Sequence, residues 1–302
     1  MPRSSLSGQQ VVYQAITDKI VAAVEEGATE FVMPWHGTGI SYGRPKNAAT
    51  GTVYRGVNVV ALWAEAMLHG YQSRHWATYQ QWTSIGGQVR RGEKGTPIVY
   101  YRILDQEPDE RGFEPPKAVW IAKAFKVFNA AQVDGGAPWE PITPRAQVLA
   151  DCEEFVVATG AQVWPGSNRA CYVPSADWIE MPARELFAGS PTSTPTEAFY
   201  STLFHELTHW SGAPHRLNRD LGGRFGGEAY AAEELVAEIG AAFLCADFEV
   251  SNEPRPDHAA YVANWLQLLK SDSRAIFSAA QRAREAALYL KRFWEDRPPG
   301  GQ

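Results

Sequence analysis

Residues 203 to 216 read LFHELTHWSGAPHR and contain a spacing that is typical of metal sites on a helix. His205, Glu206 and His209 fit H-E-x-x-H, which places two imidazoles one turn apart on the same helical face, where they can share one zinc ion. The intervening glutamate points towards the water that such a metal activates. We therefore predict His205 and His209 as metal ligands and Glu206 as a catalytic general base. The alternative is a helix with two hydrogen-bonded histidines and an exposed glutamate.

His215 leaves the third ligand open, because it completes the longer spacing H-E-x-x-H-x-x-G-x-x-H. That extension belongs to metzincin peptidases, which also carry a methionine turn downstream. Methionine occurs only at positions 1, 33, 67 and 181, so none follows the motif. We therefore expect His215 to be a loop histidine, and its spacing keeps it as the alternative ligand.

A second helical stretch, AAEELVAEIGAAFL at residues 231 to 244, offers a carboxylate instead. Glu234 and Glu238 share a helical face with Ala237 and Ala241, and a face of small residues and acids lets a helix approach a metal-bearing neighbour closely. The alternative is that these acids belong to a solvated face. The adjoining apolar residues argue for partial burial, where an unpaired carboxylate is costly.

The arrangement of these acids resembles that of the gluzincin peptidases, in which a glutamate on a second helix is the third ligand. The resemblance implies Glu234 as the ligand and Glu238 as the acid that orients His205 or His209. Glu233 points roughly 100° away from Glu234 on the helix and is the weaker candidate.

A site of two histidines and one glutamate leaves a fourth position for water, as catalytic zinc sites do. We expect Zn²⁺, with another divalent transition metal such as Mn²⁺ as the alternative. Glu206 would take a proton from the water and return it to the leaving amine of a peptide. Just upstream, RACYVPSADWIEMP at residues 169 to 182 predicts an extended segment whose edge can bind a peptide substrate. A turn explains Asp177 in this segment equally well, and helix packing explains Tyr230.

Charge is distributed unevenly along the 302 residues, which carry a formal net charge of −6. Residues 34 to 102 contain eight Lys or Arg and two acidic residues, so this segment is basic within an otherwise acidic chain. The same segment is rich in Trp and Tyr. Cations along a phosphate track, with rings on which bases stack, bind single strands without sequence preference. The segment is therefore predicted to bind single-stranded DNA.

Eleven residues of the basic segment are predicted to contact the strand, as rings for bases or as cations for phosphates. They are Trp35, Arg44, Lys46, Tyr54, Arg55, Trp76, Tyr79, Trp82, Arg90, Arg91 and Lys94. The composition is equally compatible with an alternative, in which the rings fill the core of a small domain and the arginines solvate its surface.

The pattern of apolar residues predicts an α+β protein of two domains. In the first half, residues 96 to 104 and 117 to 129 are rich in Val, Ile and aromatic residues and predict two strands. Residues 131 to 144 contain a Gly pair and three prolines, and we place a linker there. The predicted arrangement is a small α+β DNA-binding domain at residues 1 to 130 and a mainly helical domain at residues 145 to 302.

Composition and termini predict a cytoplasmic protein. Apolar residues make up 45% of the chain and charged residues 21%, which are proportions of a folded globular protein. No run of 18 apolar residues occurs, so we expect no membrane partner. The N-terminus lacks an apolar stretch with a cleavage site, and the three cysteines form no C-x-x-C pair.

Eight stretches of the chain, taken together, resemble the ArdC-type antirestriction proteins carried by conjugative plasmids. They are PW (34–35), TGTVYRGVN (50–58), GYQSRHWATYQQW (70–82), GGQVRRGEKGTPIVYY (86–101), FKVFNAAQ (125–132), LFHELTHWSG (203–212), RLNRD (216–220) and AAEELVAEIGAAFL (231–244). The resemblance implies an N-terminal domain that binds single-stranded DNA and a C-terminal zincin-like metallopeptidase domain. It also implies protection of incoming plasmid DNA from host restriction.

The family pattern requires no histidine at position 215, so the resemblance supports Glu234 as the third ligand. As the substrate we hypothesise a protein or peptide, either of the host restriction machinery or bound to DNA. Two alternatives stay open: a non-catalytic protein that shields DNA and has a structural metal, and an ordinary peptidase without affinity for DNA. The intact Glu206 argues against a structural metal, because a structural site needs no general base and usually has four protein ligands.

Overall fold

The structure is a computed structural model and describes residues 8–28, 33, 35–36, 43–104, 119–135, 145–190, 193–221, 227–252 and 258–296. Within these ranges, sheets and helices alternate in the first half, and helices dominate the second. The predicted α+β class is confirmed. Among the described helices, none combines the length and the apolar composition that a membrane span requires.

A four-stranded sheet organises the first half of the chain. The elements of this half are α1 (Gly8–Gly27), β1 (Lys46–Asn47), α2 (Val57–His69), β2 (His75–Ala77), α3 (Tyr79–Ser84), β3 (Gln88–Val89), β4 (Thr96–Leu104), β5 (Val119–Asn129) and β6 (Val133–Asp134). The sheet has the order β1-β2-β5-β4, and β3 pairs separately with β6. The long antiparallel pair β4 and β5 corresponds to the two predicted strands, whose β-branched and aromatic residues suit a pleated sheet.

Helices make up most of the second half, which also contains a small sheet. Its elements are α4 (Arg145–Thr159), β7 (Gln162–Pro165), β8 (Cys171–Val173), β9 (Trp178–Met181), α5 (Pro195–Ser211), α6 (Glu228–Asp247), α7 (His258–Ser271) and α8 (Ala275–Glu295). The predicted extended segment forms β8 and β9. The order β7-β9-β8 makes β8 an edge strand of this sheet.

A capping box marks the start of helix α5. The Thr194 side chain accepts a hydrogen bond from the Glu197 backbone, and the Glu197 side chain accepts one from the Thr194 backbone. Pro195 occupies the first helical position, where its missing N–H costs nothing. This capping box fixes where the helix begins, and the four-residue spacing places His205 and His209 on the same side.

One buried apolar cluster includes residues from both predicted domains. Ile16 and Ile20 of α1 belong to the same cluster as Leu244 of α6 and Trp265 of α7. The Thr17 hydroxyl of α1 also donates to the Ser273 carbonyl between α7 and α8. The two predicted domains therefore pack against each other through a shared core.

The predicted linker at residues 131 to 144 lies partly outside the described residues, which end at 135 and resume at 145. Its first residues belong to a short 3₁₀ turn, Ala130–Gln132, and to β6. Because β6 pairs with β3, these residues belong to the first half of the fold. The boundaries of the two domains stay a prediction.

Candidate metal centre

The three predicted ligands meet between α5 and α6. His205 Nε2 and His209 Nε2 are 3.1 Å apart, and the Glu234 carboxylate oxygens lie 3.5 Å and 3.6 Å from these two nitrogens. Within the described residues, this is the one group of His, Cys, Asp or Glu side chains close enough to hold a metal. Ligand atoms around a tetrahedral zinc with bonds of about 2 Å are roughly 3.3 Å apart. The donor set therefore fits a divalent metal.

His215 lies away from this cluster and does not belong to it. Its side chain is 61% exposed, and Nε2 lies 3.3 Å from Asp177 Oδ2. The spacing H-x-x-G-x-x-H therefore has no role in this ligand set, and Glu234 supplies the third ligand atom. The prediction from helical faces and family resemblance is confirmed at this position.

A different carboxylate lies near Nδ1 of each ligating histidine. Nδ1 of His205 lies 3.0 Å from Glu238 Oε1, as predicted for an orienting acid. Nδ1 of His209 lies 3.2 Å from Glu233 Oε1, a pairing that the sequence did not suggest. A carboxylate at Nδ1 leaves Nε2 free to bind a metal and fixes the orientation of the ring.

Arg219 holds Glu233 in place. Its guanidinium donates to both carboxylate oxygens of Glu233, at 2.9 Å and 3.1 Å, and also to the Thr208 carbonyl and the Ser211 hydroxyl on α5. Burial raises the pKa of Glu233, but its contacts with His209 and Arg219 outweigh burial and leave that pKa below its usual range. Glu233 is therefore a carboxylate that faces an imidazole and a guanidinium. In the sequence, Arg219 lies in RLNRD (216–220), one of the stretches that resemble the ArdC-type proteins, and this was the signal that could have identified it.

Glu206 is buried on α5, next to the ligand His205. Its Oε2 accepts a hydrogen bond of 2.8 Å from the Tyr172 backbone N–H. Because Tyr172 is the middle residue of β8, this bond shows that the edge strand runs beside the metal helix. The structure thus places a carboxylate, a strand edge and the ligand set next to one another.

A polar cluster fastens the turn after β8 to the end of α5. Asp177 adopts a left-handed conformation with φ 57°, accepts a bond of 2.9 Å from the Tyr172 hydroxyl, and pairs with Arg216. The Arg216 guanidinium also lies 3.8 Å from the centre of the Trp210 ring. Hydrogen bonds from Arg216 and Tyr172 hold the pKa of Asp177 below its ordinary value, although burial opposes this. The turn interpretation of Asp177 is confirmed, and Tyr230 packs against the core as expected.

Three of the predicted DNA contacts are core residues. Trp35, Trp76 and Trp82 are buried, and the Trp82 indole donates to the Phe128 carbonyl. Their faces contact protein, which corrects their assignment as surfaces for stacking bases. A small domain can also have aromatic residues in its core and basic residues on its surface. Composition alone does not distinguish this arrangement from a surface that binds a nucleic-acid strand.

Arg44 is likewise unavailable as a phosphate contact in this structure. Its guanidinium pairs with Asp247 at 2.7 Å and lies 4.5 Å from the centre of the Phe243 ring. Burial lowers the pKa of Arg44, and the ion pair with Asp247 opposes this. Arg44 therefore connects the first half of the chain to α6, which corrects its prediction as a strand contact.

Two further predicted contacts are half-buried. The Tyr54 hydroxyl donates to the Trp76 carbonyl and accepts from the Asn47 amide, and burial raises the pKa of Tyr54 to about 12. Lys46 lies in β1 with its side chain half-buried. Tyr54 therefore supports the sheet through its hydroxyl.

The remaining predicted contacts are exposed. They are Arg55, Tyr79, Arg90, Arg91 and Lys94. Tyr79, Arg90 and Arg91 line one groove with a volume of about 580 Å³, together with Gln88 and Phe128. Three of the five exposed predictions thus lie at one concave surface. Glu93 and Asp134 also line this groove, and Arg90 pairs with both of these acids.

A second exposed surface was not predicted. Tyr100 on β4 and Phe125 on β5 are 61% and 37% exposed, and their ring centres are 6.4 Å apart. The Lys123 ammonium lies 5.3 Å from the centre of the Phe125 ring. Side chains alternate between the two faces of a strand. The spacing of residues along β4 and β5 was therefore the sequence signal that could have placed Tyr100 and Phe125 on one exposed face.

Comparison with known proteins identifies a separate family for each half of the chain. A family described as the N-terminal domain of anti-restriction factor ArdC matches residues 10–128, and a zincin-like metallopeptidase family matches residues 150–282. The protein y4eC of Sinorhizobium fredii is 43% identical over 286 residues, which cover 92% of this chain and 91% of y4eC. A DNA primase TraC of Escherichia coli is 34% identical over 297 residues, but this region is only 27% of the primase.

Two solved structures are similar over nearly the whole chain. The metal-free antirestriction protein ArdC from plasmid R388 is 36% identical, with a TM-score of 0.74, and the similarity covers 95% of this chain and 99% of that one. The Mn(II)-bound form of the R388 protein is 35% identical, with a TM-score of 0.69, and the coverage is 93% and 97%. With its ArdC N-terminal region, zincin-like region and His205–His209–Glu234 metal site, the chain belongs to the ArdC family of antirestriction proteins.

Proposed function

We propose that this protein protects incoming plasmid DNA from restriction in the recipient cytoplasm by binding single-stranded DNA and hydrolysing a protein bound to it or to the restriction machinery. The observation that carries the hydrolytic part is the position of Glu206 beside a buried two-histidine, one-glutamate ligand set and an edge strand. Catalytic metallopeptidase sites combine these three features.

The metal and the side chains have different chemical roles in this proposal. A divalent metal held by this set supplies Lewis acidity, which polarises a carbonyl and acidifies water. Glu206 acts as general base and then returns the proton to the leaving amine. The Tyr172 N–H donates to Glu206 Oε2 and thereby orients this carboxylate. Glu233 and Glu238 keep the two imidazoles in ligating orientation.

An extended peptide is the substrate conformation that fits this site. Strand β8 is an edge strand, and the hydrogen bond from the Tyr172 N–H places this strand beside Glu206. A peptide that runs alongside β8 would pass along the ligand set, and main-chain groups of β8 other than the Tyr172 N–H would supply hydrogen bonds. We infer a preference for unfolded or loop segments of a protein over small substrates.

The DNA-binding part of the proposal rests on the two exposed surfaces of the first half. Tyr79 and Arg91 offer a ring and a guanidinium group within one groove, and Tyr100 with Phe125 offers a pair of exposed rings. Rings and cations of this kind bind single strands with little sequence preference. The similarity to a region of DNA primase TraC supports a DNA-related role.

The decisive experiment compares wild type and Glu206→Gln for plasmid survival on entry into a restricting host, at equal soluble expression. The amide keeps the size of the side chain and removes the base, so we expect metal to stay bound and protection to be lost. A non-restricting host controls for plasmid delivery. Full protection by a metal-loaded Glu206→Gln protein would contradict hydrolysis as part of the mechanism.

The exposed rings and cations also favour a second candidate function, in which the protein shields DNA without hydrolysis. Under that hypothesis, Glu206→Gln protects as well as wild type, whereas removal of the Arg91 and Tyr100 side chains abolishes protection. Testing both variants in the same host separates the two functions, because each variant leaves the other surface intact.

A further inference from the structure

The Glu238 carboxylate lies between two imidazoles from different halves of the chain. One oxygen is 3.0 Å from Nδ1 of the ligand His205, and the other is 3.8 Å from Nε2 of His36. All three side chains are almost completely buried. His36 belongs to the predicted DNA-binding domain, outside both helices of the metal site.

The hydrogen bonding of His36 determines which of its nitrogens carries a proton. The Met33 backbone N–H donates to His36 Nδ1 at 2.8 Å, so Nδ1 is an acceptor. A neutral imidazole with Nδ1 as acceptor carries its proton on Nε2. The group that faces the Glu238 carboxylate is therefore an N–H dipole with its positive end towards a buried negative charge.

His36 is held in this position by contacts that also hold α6. The Asn252 amide donates to the Trp35 carbonyl at 3.1 Å, next to His36 in the chain. The Trp35 ring packs edge-on against Trp265 at 5.9 Å, and the Trp265 indole donates to the Ala231 carbonyl of α6. One tryptophan thus fixes both the helix that carries Glu238 and the segment that carries His36.

We propose that His36 is a positioning residue of the metal centre, acting through Glu238 on the ligand His205. In a buried site of low dielectric, a fixed dipole orients a carboxylate more strongly than it would in water. The carboxylate in turn sets the ring orientation and basicity of the ligand. The metal centre is therefore completed by a residue from the first half of the chain, which couples the two predicted domains at this point.

Two substitutions at His36 separate positioning from packing. His36→Asn keeps a side-chain acceptor near the Nδ1 position for the Met33 N–H but removes the group that faces Glu238. His36→Gln reaches the Nε2 position with an amide N–H. The same full-length protein with His75→Asn is the control, because His75 is another buried histidine of the first half and contacts Ser73 instead of the metal site.

The measurement is Zn²⁺ affinity by competition with a coloured chelator at fixed pH, with thermal unfolding of each metal-free variant. We expect His36→Asn to weaken Zn²⁺ binding about 10- to 100-fold, the cost typical of losing an outer partner of a metal ligand. We expect His36→Gln to regain most of this loss and His75→Asn to match wild type.

Wild-type affinity in His36→Asn would overturn the proposal. So would an equal loss of affinity in the Asn and Gln variants, because a packing defect does not distinguish them. A lower unfolding temperature with unchanged Zn²⁺ affinity would show a purely structural role. Should His36→Asn fail to fold, loss of Zn²⁺ affinity in a folded His36→Gln variant would still overturn the proposal.

Discussion

Gly240 of α6 lies directly against Thr208 of α5: a Cβ atom at Gly240 would stand 2.6 Å from Thr208 Cγ2 and 2.8 Å from its hydroxyl oxygen. Only a hydrogen atom fits at this point, so glycine permits a close approach of the two helices. Thr208 precedes the ligand His209, and Gly240 follows Glu238 by two residues. The contact therefore sets the distance between the imidazole and carboxylate ligands.

The first prediction concerns this helix contact. Gly240→Ala should destabilise the protein by about 1–3 kcal/mol, as overpacking does, although Gly→Ala within a helix ordinarily stabilises by roughly 1 kcal/mol. It should also weaken metal binding, because α6 must move away from α5. Urea unfolding and chelator competition measure the two effects.

The double variant Gly240→Ala, Thr208→Ala is the matched control for the contact. Removing the Thr208 methyl and hydroxyl makes room for the new Cβ, so the double variant should recover part of the lost stability and metal affinity. A single Gly240→Ala variant that is as stable as wild type and binds metal equally well would contradict this account of the helix spacing.

The second prediction separates the two candidates for the third ligand. Glu234→Ala removes a carboxylate whose two oxygens lie 3.5 Å from His205 Nε2 and 3.6 Å from His209 Nε2, so this variant should lose bound metal during dialysis. His215→Ala changes an exposed side chain outside the cluster and should retain it. Metal content measured after dialysis decides, and the reverse pattern would restore a three-histidine site.

The third prediction concerns the pH dependence of stability at Asp177. Its pKa is depressed in the folded protein, chiefly by the hydrogen bond from Arg216. Such a group stabilises the fold fully above its unfolded pKa of about 3.9 and loses this effect as the pH falls through the lower folded value. Asp177→Asn should therefore be less stable than wild type near neutral pH, and the difference should shrink below about pH 4.

Asparagine is the informative replacement because it tolerates the left-handed conformation that Asp177 adopts at φ 57°. The backbone of the turn is thus kept while the charge is removed. Urea unfolding of both proteins across this pH range gives the comparison. A stability difference that grows on acidification would refute the assignment to the Asp177–Arg216 pair.

The fourth prediction tests the exposed surfaces for single-strand binding. Tyr100→Ala should cost about 1–3 kcal/mol of binding free energy if a base stacks on this ring. Arg91→Ala should lower the slope of log affinity against log salt by roughly 0.7, the value for one phosphate contact on a single strand. Fluorescence anisotropy with a labelled oligonucleotide measures both effects.

Arg282→Ala is the control, because Arg282 is an exposed arginine on α8, outside both surfaces. It should leave the affinity and the salt slope unchanged. If Tyr100→Ala and Arg91→Ala bind as wild type does over the salt range, neither surface binds the strand, and DNA contacts must be sought among the other exposed cations, such as Arg55 and Lys94.

Features that depend on neighbouring residues were predictable. The spacing of His205 and His209 on α5 follows from helical geometry, and the Thr194–Glu197 cap marks where that helix begins. The strand β4 was predicted from its β-branched and aromatic residues with the bounds that the structure shows. Each of these results needs only the backbone period and side chains a few residues apart.

Features that depend on contacts between distant residues were not predictable. The buried state of Trp35 and Arg44 follows from α6 and α7, more than 180 residues further along the chain. The same holds for the pairing of Glu233 with His209, because the rotation of one helix against another decides which carboxylate faces the metal and which faces the ligand's second nitrogen. Periodicity limits such positions to a helical face, and the packing of α5 against α6 selects among the residues on it.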